Sequence, residues 1–154
     1  MINYWRKLIV FNFSMSSLPA SLEKIVKRFE KASSNKVRYE QLLWYAQKLP
    51  NFPESAKTSE NKVNGCQSQV YITARCEDGK VWYEGDSDAQ LVKGLVAFLI
   101  TGMSGLPPAE IMQITPDFIQ ETGLTVSLTP SRTNGFYNIF EKMKNQAFAY
   151  LTSN

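Results

Sequence analysis

The thiol of Cys66, in the run Asn64-Gly65-Cys66-Gln67-Ser68-Gln69-Val70, is the side chain of this sequence best placed for chemistry. A glycine-containing turn hands over to a strand there, which presents the sulfur at a loop tip held by a rigid element. Thiolate chemistry needs access, a stabilised anion and a reaction partner within reach, and a cysteine inside a strand has none of these. The competing reading is that a free cysteine is a small core hydrophobe. The chain contains no histidine. That removes the Cys-His pair, the Ser-His-Asp triad and imidazole zinc ligands together. A thiolate at Cys66 therefore has to be stabilised by backbone N–H groups, a nearby cation or residues of a partner.

Arg132 is the candidate cation. It stands in Thr129-Pro130-Ser131-Arg132-Thr133-Asn134-Gly135, where an expected strand gives way to the last helix. The helix dipole disfavours a cation at a helix start, so neutralising a thiolate or a partner carboxylate competes with the reading as a plain surface arginine. Asp86 and Asp88 flank Ser87 at another expected helix start, where capping and the dipole account for them. Glu60, Lys62, Gln67 and Gln69 are polar neighbours of Cys66, and the two glutamines could hold the loop or touch a partner. Gly102, Gly105 and Gly123 compose no phosphate-binding pattern.

These residues need a scaffold, and 154 residues with 44% hydrophobic side chains are enough for one domain with a core. No segment approaches the roughly 18 apolar residues needed to span a bilayer. Seventeen basic and 14 acidic residues leave a net charge of +3, spread along the sequence. That is too mild and too scattered to call for nucleic acid. Two cysteines are not a disulfide scaffold, although a Cys66–Cys76 bridge stays open, and without histidine they make a poor zinc site. Residues 1–17 are expected to form a disordered or dispensable extension to a single domain over 18–154. They contain no convincing targeting signal, which points to the cytoplasm.

Leu22, Ile25, Val26 and Phe29 mark one helix ending near residues 33–35, and a second is expected over 37–49, stopped by Pro50. Apolar alternation over 70–76 predicts a half-buried strand with Cys76 facing inward as a core residue. Asp78-Gly79 predicts a hairpin into a strand over 80–84. Ser87 and Gln90 form a capping box for a nearly apolar helix ending near Gly102. Pro107-Pro108 opens a short helix, Thr115 caps another turn, and alternation over 124–129 predicts a third strand. A last helix should begin near 131–134 and run to about 150. The class is α+β, with a small antiparallel sheet of about three strands packed against helices.

Three blocks, NGCQSQVYI around Cys66, GDSDAQLVKGLVAFL from Gly85 and LTPSRTNGF from Leu128, together resemble the SufE family of sulfur-acceptor proteins. They occur in the family's order and spacing, and the likeness runs from about residue 18 to residue 150. The resemblance implies a non-enzymatic role in iron–sulfur cluster assembly. Such a protein takes persulfide sulfur from a cysteine desulfurase, stimulates that enzyme and delivers sulfur to a cluster scaffold. It implies Cys66 as the acceptor, Arg132 as the arginine of the SRxNG motif, and a fold shared with U-type scaffolds. It implies no cofactor in this chain, since the pyridoxal phosphate belongs to the desulfurase. A soluble monomer or weak homodimer with no membrane or nucleic-acid partner is expected. Two features depart from the family: the segment before Met15, and Cys76, which matches no functional position. The residues alone leave two other readings, a thiol peroxidase or redox sensor resolved by Cys76, and a cluster scaffold or metallochaperone.

Overall fold

The computed structural model describes residues 18–152, so the expected N-terminal extension, residues 1–17, lies outside the described residues. Two helices, α1 (Ala20–Glu30) and α2 (Asn35–Lys48), lead to an irregular stretch with a 3-10 turn at Glu54–Ala56. A hairpin follows, β1 (Val70–Glu77) and β2 (Lys80–Ser87), then α3 (Gln90–Met103) and a short α4 (Pro108–Met112). A 3-10 turn at Pro116–Gln120, a one-turn α5 (Leu124–Ser127) and the long α6 (Pro130–Thr152) complete the chain.

The buried face of α1 is Leu22, Ile25, Val26 and Phe29, as the spacing of three, one and three requires. Ser34 starts α2 by accepting a hydrogen bond from the Val37 N–H at 3.3 Å. The sheet has two antiparallel strands in register from Val70↔Ser87 to Glu77↔Lys80. Asp78 (φ 53°) and Gly79 (φ 74°) are both left-handed, the geometry a two-residue hairpin loop needs. Among α3 residues Leu95, Val96, Phe98, Leu99 and Met103 are wholly buried, and the helix packs against α1, α2, β2 and α6. Two glycines permit that centrality. A Cβ on Gly94 would lie 2.5 Å from the Leu42 carbonyl oxygen, and one on Gly102 would lie 2.5 Å from Leu22 Cδ1. Phe29, Phe98, Phe118, Phe136 and Phe140 join α1, α3 and α6 through stacked and edge-on ring contacts.

Three local expectations need correction. The third strand is absent: residues 124–127 form a helical turn, with Leu128 N–H bonded to the Leu124 carbonyl at 2.8 Å. Leu124 and Leu128 are buried one turn apart while Val126 is 83% exposed, so the burial has helical spacing and the apparent alternation is accidental. Gly123 at φ 77° sets the turn, and Thr122 Oγ1 accepts from the Leu124 N–H. Ser87 is not the helix cap either, because β2 extends to it and Ala89 occupies the cap position without a side-chain bond. Ser87 Oγ instead accepts from the Ala89 N–H at 3.3 Å. Cys76 is exposed: β1 is buried at Val70 and Ile72, but its second half runs beyond the helices that cover it.

Candidate functional site

Cys66 sits in a six-residue loop whose two ends are zipped together. The Val63 N–H bonds to the Val70 carbonyl at 2.8 Å and the Ile72 N–H to the Asn61 carbonyl at 2.9 Å. Gly65 turns the chain at φ 83°, a conformation that favours glycine, and a Cβ there would press on Asn138 Nδ2 at 2.7 Å. The loop is then pinned on both sides of the cysteine. Upstream, Asn138 Nδ2 donates to the Gly65 carbonyl at 3.1 Å; downstream, the Gln69 N–H donates to Asp88 Oδ1 at 2.9 Å.

The Asn138 contact is one rung of a ladder. Asn138, Lys142, Gln146 and Tyr150 stand one helical turn apart on α6. They donate to the backbone carbonyls of Gly65, Glu60, Ile72 and Ala74 at 3.1, 2.7, 2.9 and 2.9 Å. One stripe of a rigid helix thus holds both the approach to the loop and the strand that leaves it. Because the acceptors are main-chain oxygens, loop side chains stay free for other work.

The cysteine side chain is half-buried and points toward the start of α6, where its S–H donates a long 3.8 Å contact to the Gly135 carbonyl. It lines a cavity of about 210 Å³ with Ser68, Ala89, Thr129, Ser131, Arg132 and Gly135. Burial pushes the Cys66 thiol up from its ordinary pKa, so at neutral pH the resting group is a protonated thiol. The first turns of α3 and α6 both border this cavity, and helix N-termini carry partial positive charge. Thr129 Oγ1 caps α6 by accepting from the Arg132 N–H at 3.3 Å. Arg132 has no carboxylate within ion-pairing distance among the described residues. The cavity therefore combines a nucleophile with positive potential and a free guanidinium, a setting that accepts a sulfur anion or a partner carboxylate.

Folding brings Cys66 and Arg132 to one cavity and leaves Cys76 elsewhere. Both cysteines are free thiols. Cys76 lies at the far end of β1, six strand steps or about 20 Å beyond Val70. Among the described residues no group of three or more Cys, Asp or Glu side chains could hold a metal ion. Asp86 is structural, ion-paired to Lys93 at 3.2 Å and Lys57 at 3.5 Å. Asp88 does more than serve the helix start, since it anchors the cysteine loop. Neither Asn138 nor Gly135 stands out in the sequence as a site residue. The trace that Asn138 leaves there is a polar residue among the apolar positions of the last helix, a signal too common to read.

Comparison with known proteins bears on the family and the fold. The SufE family model, an Fe-S metabolism associated domain, matches residues 23–147. The chain is 63% identical over 135 residues to an uncharacterized SufE-like protein of Synechocystis sp., covering 88% of this chain and 85% of that one. It is 39% identical over 138 residues to the cysteine desulfuration protein SufE of Plasmodium vivax, covering 86% of this chain but 55% of that protein, about half its length. The fold matches the solution structure of a hypothetical protein from Thermus thermophilus with a TM-score of 0.76 and 27% identity, over 88% of this chain and 99% of that one. The extent of the family match and the identity to these relatives establish that the chain belongs to the SufE family.

Proposed function

We propose that this chain carries sulfur from a cysteine desulfurase to an iron–sulfur scaffold, with Cys66 as the acceptor and Arg132 as its electrostatic partner. The chain acts as a carrier and activator and not as an enzyme in its own right. Transfer is a thiol–persulfide exchange. The Cys66 thiolate attacks the outer sulfur of the donor's persulfide, a bond forms from Cys66 Sγ to that sulfur, and the bond to the donor cysteine breaks. The donor leaves as a thiolate and takes up a proton, so no electrons are gained or lost overall. Delivery repeats the step with Cys66 as the leaving group.

The observation that carries this reading is a half-buried thiol in a small cavity shared with Arg132 and two helix starts. A protonated, sheltered thiol resists oxidation and stray thiols at rest, and a persulfide anion formed there lies in positive potential. The same shelter means that a donor must draw the loop outward to bring sulfur within bonding distance. Proton loss and exposure then coincide with docking. A redox role resolved by Cys76 has no geometric support, given the length of β1 between the two sites.

The test is desulfurase turnover, read as alanine release from cysteine. Adding this chain should raise the rate, Cys66→Ala should remove the stimulation, and Cys76→Ala should keep it. Full stimulation by Cys66→Ala would reject the assignment.

A further inference from the structure

Although the net charge is small, four cations fall within eight residues of the first helix and its C-cap, and helical geometry brings them to one face. Lys24, Lys27, Arg28 and Lys31, on α1 and its C-cap, are exposed and spaced three, one and three apart. With Gln41 of α2 they line a groove of about 470 Å³. Like charges three and four residues apart weaken a helix, and this stripe contains four such pairs. The helix dipole favours cations in the last turn and at the C-cap, which accounts for Lys27, Arg28 and Lys31 but not Lys24. Lys27 has Glu23 at 3.0 Å, whereas Lys24, Arg28 and Lys31 have no carboxylate within ion-pairing distance among the described residues. By contrast, Arg75, Lys57 and Lys93 each have a carboxylate partner.

Beside the groove stands Trp44, 48% exposed. Lys48 Nζ lies 4.8 Å from its ring centre, and the Arg28 guanidinium carbon 6.0 Å from it. Arg28 is also held by the Tyr45 hydroxyl at 3.1 Å, which fixes its position between the two helices. Tryptophan and arginine dominate the energetics of protein interfaces, and a preset arginine loses little freedom on binding.

We propose that this groove docks an acidic segment of a partner protein, with carboxylates over Lys24, Arg28 and Lys31 and an apolar side chain against Trp44. The charge of the stripe selects an anion, and the adjoining half-exposed indole selects one that also carries apolar side chains. A nucleic-acid strand fits less well, because the Lys48 ammonium already lies against the ring on which a base would stack. None of the groove residues lines the Cys66 cavity. A partner held here leaves the thiol open to a second protein, and the inference does not depend on what Cys66 does.

The experiment measures binding of a fluorescein-labelled amphipathic peptide of Glu and Leu to the full chain. Oligothymidylate and phosphatidylglycerol vesicles run in parallel. The peptide should bind in low salt and release as salt rises. Lys24→Glu with Arg28→Glu should weaken it by about tenfold or more, since reversed charges repel the ligand. Trp44→Ala should weaken it severalfold, and alkylation of Cys66 should not change in either variant. If the double variant melts early, Lys31→Glu, just past the last turn of α1, gives the same test. Equal peptide binding by the charge-reversed chain, no binding by the native chain, or tighter binding of oligothymidylate or vesicles at the same residues would overturn the proposal.

Discussion

Burial keeps Cys66, the proposed sulfur acceptor, less ionised at rest than an exposed cysteine. Desolvation favours the neutral thiol, so the thiolate fraction at neutral pH is below that of an exposed cysteine. The pH profile of Cys66 alkylation, measured in Cys76→Ser, should therefore have its midpoint above the ordinary value of about 8.5. A midpoint below that value would mean that a cation already stabilises the thiolate before any partner arrives. Arg132→Ala should leave the melting temperature unchanged but slow sulfur transfer by about tenfold or more, the loss expected for one charge-assisted contact. Arg132→Lys should recover part of it, because charge returns without the fork. Single-turnover transfer kinetics would read both. Cys66 and Arg132 stand out as candidates in the sequence because each sits in a polar, turn-forming run. The exposure of Cys76 is not, because strand parity tells which side a residue faces and not whether a helix covers that end of the strand.

The elements explain why the loop holds its shape without being rigidly locked. Two hydrogen bonds bracket the cysteine, from Asn138 to Gly65 and from Gln69 to Asp88. Removing either bond costs about 1 kcal/mol, which shifts the loop between closed and open populations without unfolding the domain. Asn138→Ala should speed Cys66 alkylation severalfold with little change in denaturant midpoint. An unchanged alkylation rate would show that the ladder from α6 does not govern access. Gly65→Ala is the converse case. Its backbone conformation is strained for an alanine and its Cβ meets Asn138, so it should lose about 1–2 kcal/mol of stability. The hairpin and the long helices are readable because Asp-Gly turns and apolar faces repeat over several turns. The segment 124–129 is not, since in six residues Leu124, Val126 and Leu128 satisfy a strand alternation while two of them also satisfy a helical repeat. The α6 ladder is invisible for a different reason: its acceptors are backbone carbonyls, which leave no signature in the sequence.

The whole domain is built around α3, an almost wholly buried helix that supports the hairpin on one side and the first two helices on the other. Its first turn borders the thiol cavity, so core and site share one element. Gly94→Ala should be destabilising by about 1–3 kcal/mol, because the new methyl would press on the backbone of α2 and overpack the contact. Thermal unfolding would measure this. The fold class can be read from element order alone, and the extra strand expected there does not alter the layer arrangement of helices on a small antiparallel sheet. What the order does not supply is the closeness of Cys66, Arg132 and the start of α3, which depends on three segments meeting in space.

The most direct measurement incubates the chain with a cysteine desulfurase and isotopically labelled cysteine, then locates the transferred sulfur by mass spectrometry of non-reduced peptides. One additional labelled sulfur on the peptide containing Cys66, retained in Cys76→Ala and missing in Cys66→Ala, is the expected result. Label on Cys76 instead, or undiminished label in Cys66→Ala, would contradict it.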